Sequence, residues 1–306
     1  MILRVRCHCA LVALFLGLGT LPARADDGVT LKWKFEPGQT SRYTTLVDMK
    51  AQHKFGAGQP EEITAKRTSE MTWVVDSVDE DGNAHITQTI ERIRGVSSAR
   101  GQEQRFDSEE AKLDEAAAQE PLGFLVKQPI HLTIDPHGKV VDVRPSEKLA
   151  EKLKQPQRGP LAAMLSPENL KQMASANTLE FSSEPVSRGT TWQQQMTVSD
   201  PMAGRQTLAT TYRYDGTEDR DGQKLDKISA TARVEPAGNQ GGAQRVTIKD
   251  QKSNGVIWFD RSVGRIHQME MTSKLVREVT LGTNKVEETV TTKMHMRLAG
   301  ESDEAR

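Results

Sequence analysis

The stretch HLTIDPHGKVVDV, residues 131–143, sets two histidines beside two aspartates: His131, His137, Asp135 and Asp142. Imidazole and carboxylate groups bind metals and exchange protons near neutral pH, so this stretch is the first candidate for a metal or acid–base site. The letters DPHG in its middle have the composition of a tight turn, which places His137 at an exposed tip. No third ligand lies nearby in the sequence and no His-Glu-x-x-His pattern occurs. We therefore expect a hairpin here, with no metal.

Other catalytic patterns are missing from the sequence. Residues 77–88 and 217–228 place acids before a glycine as a calcium loop does, but Gln88 and Ile228 stand where the bidentate glutamate belongs. No nucleophile elbow, Ser-x-x-Lys pair or phosphate-binding glycine loop occurs. We assign no catalytic residue, no metal and no cofactor. A hydrolase with paired carboxylates needs no sequence motif, so it stays a third hypothesis for function.

The N-terminus has the pattern of a secretory signal peptide. Arg4 and Arg6 precede an apolar run over residues 10–21, and the letters ARA end at Ala25. The run is shorter than the roughly 20 residues that a spanning helix needs, so we expect cleavage after Ala25 rather than a membrane anchor. The chain is therefore predicted to be periplasmic or secreted.

Cysteine usage and charge narrow the class of protein. Cys7 and Cys9 both precede the apolar run, so the expected mature chain is not a lipoprotein and contains no disulfide. The whole chain has a formal net charge of −1, with no basic excess for binding nucleic acid. No later segment is apolar enough to span a membrane.

Periodicity predicts a chain made mainly of strands, with a few helices in the middle. Asp-Gly pairs between β-branched runs predict tight hairpins. The predicted strands are 40–55, 68–78, 84–93, 207–216, 224–235 and two within 266–298; the predicted helices are 108–120, 145–155 and 166–176. In the last strand region, alternation places five side chains on one face. They are Met269, Met271, Ser273, Leu275 and Arg277.

Three landmarks recur in the same order in the two halves of the chain, which predicts an internal duplication. The first landmark is a glycine followed by an aromatic residue. The second is an aromatic-x-x-Asp pattern that leads to an Asp-Gly pair. The third is an aspartate and a short turn, followed by a glycine, a basic residue and an apolar residue. The matched positions are Gly38 with Gly189, Trp73 and Asp76 with Tyr212 and Asp215, Gly82 with Gly222, and Asp135 and Gly138 with Asp260 and Gly264.

The predicted fold class is mainly β (α+β): two duplicated antiparallel meanders, either open or curved into half-barrel sheets, with a short helical segment between them. The expected division is a signal peptide at 1–25, a first meander half at 26–145, a helical connector at 146–184, a second meander half at 185–300 and a disordered tail at 301–306.

The stretches LKWKFEPGQTSRY (31–43), EPVSRGTTW (184–192) and IDPHGKVVDV resemble an uncharacterised family of exported bacterial proteins. That family opens with a W-K-F-x-x-G-x-x-x-x-Y-type motif and later carries a P-V-x-x-G-x-x-W-type motif. The layout of strands and helices is also similar to that of periplasmic lipoprotein carriers, in which a curved antiparallel sheet capped by helices surrounds an apolar cavity. These resemblances imply a fold and an apolar cavity, and they imply no chemistry.

The segment GPLAAMLSPENLKQMA, residues 159–174, has an apolar stripe that suits either of two roles. In one role, its side chains line a ligand cavity between the halves. In the other, they pack as ordinary core, as apolar helical stripes more often do. The candidate ligand-lining residues are Leu161, Met164, Leu165, Leu170 and Met173.

The leading hypothesis is a non-enzymatic envelope protein that binds a hydrophobic ligand, lipid or polypeptide. The alternative is a structural or protein-interaction module that contacts another envelope protein and has no small-molecule ligand.

Overall fold

The computed structural model describes residues 28–56, 58–110, 122–154, 167–200, 204–220, 222–236, 244–282 and 284–299. Within these ranges the protein has twelve strands and two short helices, so the predicted mainly β class is confirmed. The strands are β1 Thr40–Phe55, β2 Glu61–Val78, β3 Ala84–Ala99, β4 Gln102–Asp107, β5 Ile130–Ile134, β6 Val140–Pro145, β7 Thr191–Asp200, β8 Gly204–Arg220, β9 Gln223–Pro236, β10 Gln244–Asp260, β11 Arg265–Leu281 and β12 Asn284–Leu298. The helices are α1 Glu147–Lys154 and α2 Pro167–Ala176. The predicted helix over 108–120 falls almost wholly outside the described residues, as does the predicted tail.

All twelve strands form one antiparallel sheet. Its order is β6-β5-β3-β2-β1-β12-β11-β10-β9-β8-β7, with β4 paired to β3 at one side. The first and last strands therefore lie side by side in the middle, paired from Tyr43 with Leu298 to Phe55 with Val286. The two halves of the chain contribute one half of the sheet each, so they share a continuous hydrogen-bond network.

The sheet must be strongly curved, because helix α2 contacts both of its outermost strands, β6 and β7. Eleven strands laid flat at the usual spacing would hold those edges about 48 Å apart. A helix is only about 10–12 Å across, so the edges approach each other through α2. Lys171 Nζ of the helix donates to the Val141 carbonyl oxygen on β6 at 2.9 Å. The fold is a trough whose open side is bridged by α2.

The core is shared by both halves and by the segments that precede β1 and β7. Trp33 lies at its centre, with ring centroids 6.0 Å from Phe35 and Trp73, 6.3 Å from Phe181 and 5.9 Å from Phe259. The Trp33 indole N–H donates to the Leu179 carbonyl oxygen at 2.9 Å. The segment that follows α2 is tied in this way to the start of the chain and to both halves of the sheet.

The matched landmarks of the two halves have the same local geometry. The Gly38 and Gly189 amides each donate at 2.8 Å to a carbonyl oxygen in the second strand of their half, at Val75 and Tyr214. The register of that strand then shifts at the next residue, which is an aspartate in both halves. Asp76 accepts from the Thr87 hydroxyl at 2.7 Å, and Asp215 accepts from the Ser229 hydroxyl in the same position. The common origin of the halves stays a prediction.

Candidate functional site

A cavity of about 470 Å³ opens on the inner face of strands β7 to β12. Its other wall is formed by residues 175–179, at and just after the end of α2. The five side chains that alternation places on one face of β11, from Met269 to Arg277, all line this cavity. The prediction that they share a face is therefore confirmed, and that face is the floor of the cavity.

Most of the surface of the cavity wall is apolar, and four of the side chains that line it are methionines. The apolar members are Ala176, Leu179, Met196, Leu208, Ala232, Val234, Ile257, Ile266, Met269, Met271, Leu275, Val290 and Met294. Met271 lies opposite Met294 on the neighbouring strand. On the other side, a Cβ at Gly255 would overlap the Met271 sulfur, so glycine leaves the space that this thioether fills. Methionine is unbranched and polarizable, so such a wall adapts to ligands of irregular shape.

Hydroxyl and amide groups supply limited polarity between the apolar side chains. Tyr212 lines the cavity, and its hydroxyl donates to the Gln194 side-chain oxygen at 3.0 Å. Burial raises the pKa of Tyr212 to about 12, so the phenol is neutral at physiological pH. These groups can orient a ligand but offer no ionised nucleophile or base.

A charged cluster, defined here as His53, Glu288 and Arg277, crosses three adjacent strands at one end of the cavity. Glu288 pairs with Arg277 on β11 and with His53 on β1 in the strand register. Its Oε1 lies 2.9 Å from His53 Nε2, and its Oε2 accepts a hydrogen bond from Arg277 Nε. Arg277 and Glu288 are each only 5% exposed. Taking such ions out of water is costly unless they are paired, and here one carboxylate serves two basic groups.

A carboxyl group with a raised pKa, Asp226, lies away from the cavity wall. Asp226 is buried and accepts from the Tyr214 hydroxyl at 2.8 Å, and its Oδ2 lies 3.1 Å from Arg261 Nε. Burial raises the pKa of Asp226 above its usual range, against the opposing effects of Tyr214 and Arg261. Because its partners are structural neighbours at a strand end, we assign Asp226 a packing role.

The histidines of residues 131–143 stand in the predicted hairpin, β5 to β6, but one expectation about them was wrong. His137 is half-buried rather than exposed at a tip, and its Nδ1 is buried without a hydrogen-bond partner among the described residues. The cause is that the hairpin tip packs on the segment after α2: the His137 carbonyl oxygen accepts from the Phe181 amide at 2.7 Å. His131 is exposed, with Nδ1 3.1 Å from the Thr87 hydroxyl. Within the described ranges no group of three His, Cys, Asp or Glu side chains is placed to hold a metal ion.

The predicted ligand-lining residues fall in two groups. Leu161, Met164 and Leu165 lie outside the described residues. Leu170 is buried in the core and Met173 packs against it, beside the cavity rather than on its described wall. What lines the wall at this point is the next stretch, residues 175–179. That these five residues contact a ligand stays a prediction.

A larger cleft of about 580 Å³ lies over β2, β3 and β4. It is wide open, and charged side chains such as Lys66, Arg94 and Arg105 dominate its wall. Each of these three is already near a carboxylate, at 3.7 Å from Asp48, 3.8 Å from Glu70 and 2.9 Å from Glu103. The smaller apolar cavity is therefore the better ligand site.

Among the described residues, no helix combines the length and the hydropathy required to cross a membrane.

Solved structures with some likeness to this chain have low sequence identity. A lipovitellin structure, described as showing lipid–protein interactions, has 9% identity and a TM-score of 0.47, and the match covers 87% of this chain and 26% of that one. The hypothetical lipoprotein YmcC of Escherichia coli K12 has 10% identity and a TM-score of 0.25, covering 84% and 89% of the two chains. OccK5 (OpdH) of Pseudomonas aeruginosa has 6% identity and a TM-score of 0.29, covering 86% and 99%. This chain thus spans about a quarter of the lipovitellin chain, and at these TM-scores none of the three bears on function.

A comparison with curated proteins finds no match. A family profile does match, over residues 81–266, which is more than half of the chain and includes β3 to β10 with both helices. The expectation of an uncharacterised family is confirmed at that level. The chain belongs to DUF6263, a family of unknown function.

Proposed function

We propose that the protein is a non-enzymatic, exported envelope protein that binds a hydrophobic ligand in the cavity over β7 to β12. The observation that carries the proposal is the cavity itself, at about 470 Å³, with a wall whose surface is mainly apolar and includes four methionines. Small-molecule pockets have volumes of roughly 300–1,000 Å³, and their walls are mainly apolar with a few polar groups.

The dimensions of the cavity favour a lipid chain over a polypeptide. From Met269 to Arg277 the wall runs along eight residue steps of β11, or about 26 Å. The acyl chains of one bilayer leaflet span roughly 15 Å, half of the hydrocarbon thickness, so one chain fits lengthwise. A polypeptide would bring backbone N–H and C=O groups that this mainly apolar wall leaves unpaired.

The cell envelope is the proposed location. Its support is the N-terminal pattern of Arg4 and Arg6, an apolar run and the ARA site ending at Ala25. A protein outside the cytoplasm that encloses an acyl chain would shield it from water between membranes.

Native mass spectrometry of gently purified full-length protein tests the proposal. We expect a bound lipid mass, and we expect Ser273→Trp to abolish it, because Ser273 lies on the cavity floor and an indole there fills the space. The matched control is Thr272→Trp, one residue away with an exposed side chain on the opposite face. A wild-type protein that is empty after purification and takes up no added fatty acid would contradict the proposal. An empty protein that retained a defined envelope partner would favour the interaction-module alternative.

A further inference from the structure

We propose that Gly255 and Met271 together determine the longest apolar chain that the cavity accepts. This inference rests on the proposed function and adds the residues that set its specificity. It starts from a gap in the floor of the cavity. Ser253 and Ile257 of β10 line the cavity, but Gly255, which lies between them on the same face, is not part of the wall.

The side chain of Met271 covers Gly255. Met271 is the residue opposite Gly255 on β11. A Cβ at position 255 would overlap the Met271 sulfur and would lie 3.1 Å from its terminal methyl carbon. The thioether therefore lies across β10, in the space that a side chain at position 255 would occupy. A larger residue there would displace the thioether, and the open space beside it is the cavity, which Met271 also lines.

No backbone conformation requires a glycine at position 255. Gly255 lies inside β10, paired with Ala230 on one side and with Met271 on the other. Its φ is outside the left-handed region that favours glycine. Glycine weakens the interior of a strand and marks a position where another group approaches closely. At this position the approaching groups are the Met271 thioether and the Glu270 carbonyl oxygen of the neighbouring strand.

The place of Met271 in the cavity decides what its side chain can close. One end of the cavity is formed by Met269 and by Leu179, Ile257 and Ile266, of which the last three are nearly fully buried. A chain that runs along β10 and β11 to this end passes directly over Gly255 and Met271. A thioether displaced into the cavity would close off the stretch of wall from Met271 to Met269. That stretch is two residue steps of β11, or about 7 Å.

Displacement of N-phenyl-1-naphthylamine, a neutral fluorescent apolar probe, by primary alcohols from decanol to docosanol tests the inference. Each carbon that enters the cavity should raise the affinity about fourfold, and a carbon that finds no room adds nothing. The chain length at which the affinity stops rising therefore measures the reach of the cavity. In Gly255→Ala we expect this limit to be shorter by roughly five carbons, because a staggered chain advances about 1.3 Å per carbon.

Further variants separate the effect of the thioether from effects on folding. Gly255→Ala/Met271→Ala removes the displaced thioether and should restore the wild-type limit. The single and double variants share the shift that moves the new Cβ away from the Glu270 carbonyl oxygen, 2.8 Å away. Met271→Trp obstructs the same passage with the glycine unchanged, so it should also shorten the limit. Asn254→Ala and Thr272→Trp, at exposed neighbours on the outer face, are the matched controls and should bind as the wild type does.

The same limit in the wild type, Gly255→Ala and Met271→Trp would overturn the inference and leave the proposed function standing. A double variant with the short limit of Gly255→Ala would do the same. If circular dichroism shows that Gly255→Ala is unfolded, Met271→Trp against Thr272→Trp decides the question. Failure of every alcohol to displace the probe from the wild type would overturn the proposed function as well.

Discussion

Glycine at position 138 is required by two independent constraints. Its φ is 93°, in the left-handed region, and a Cβ there would overlap the Leu179 carbonyl oxygen and the Trp33 ring. Gly189 has nearly the same φ, 92°, yet a Cβ there would meet no described atom within 4 Å. A comparison of substitutions at the two glycines distinguishes the cost of backbone strain from the cost of steric overlap, because only Gly138 is subject to both.

We therefore expect Gly138→Ala to lower the free energy of unfolding by about 1–3 kcal/mol more than Gly189→Ala, the range for overpacking a core. Both variants share the roughly 1–2 kcal/mol cost of a side chain in the left-handed region. Urea unfolding followed by circular dichroism measures the difference. Equal losses would mean that the hairpin tip moves away from the segment after α2 at little cost.

At the scale of elements, helix α2 joins the edges of the sheet. Leu170, the leucine of this helix, is buried at 2% exposed, whereas the neighbouring Lys171 is exposed. Leu170→Ala should cost about 2–5 kcal/mol, the range for a buried leucine, and Lys171→Ala about 1 kcal/mol or less, because it loses only an exposed hydrogen bond to Val141. Chemical denaturation of the two variants makes the comparison. If Leu170→Ala cost no more than Lys171→Ala, the helix would not be packed on the core as the structure shows.

At the scale of the whole molecule, the aromatic cluster around Trp33 joins the two halves of the sheet. Trp73 comes from the first half, Phe259 from the second and Phe181 from the connection between them. A core shared in this way predicts one cooperative unfolding transition. The alternative, two separately folded halves, would require the Trp33 contacts to be dispensable.

Trp33→Ala is expected to lower the free energy of unfolding by about 3–5 kcal/mol, as for other buried tryptophans. Hydrogen exchange should show protection falling together in β2 and in β10. Lys32→Ala, at the exposed neighbouring residue, is the control and should change protection little. A loss of protection confined to one half would contradict the single shared core.

Local patterns in the sequence predicted much of the fold, because each depends on residues close in the chain. Alternating β-branched residues predicted β1 at residues 40–55, and the Asp-Gly pairs predicted the hairpins that join β2 to β3 and β8 to β9. The predicted helix over 145–155 corresponds to α1, where the Ser146 hydroxyl accepts from the Leu149 amide at 3.4 Å. The same alternation correctly grouped the residues of β11 that form the cavity floor. It did not indicate what they face, because periodicity assigns a side chain to a face and carries no information about the opposite wall.

The sequence by itself therefore determined the mainly β class, the Asp-Gly hairpins, the starts of the helices predicted over 145–155 and 166–176, and the absence of recognisable catalytic patterns. Only the tertiary structure decided the pairing of β1 with β12, the curvature that brings β6 and β7 to one helix, and the cavity between strands β7 to β12 and residues 175–179. The charged cluster shows why: His53 and Glu288 are 235 residues apart, and only the pairing of the first and last strands brings them to 2.9 Å. Contacts between residues so far apart in the chain depend on how the whole sheet closes, and no short stretch of sequence determines that closure.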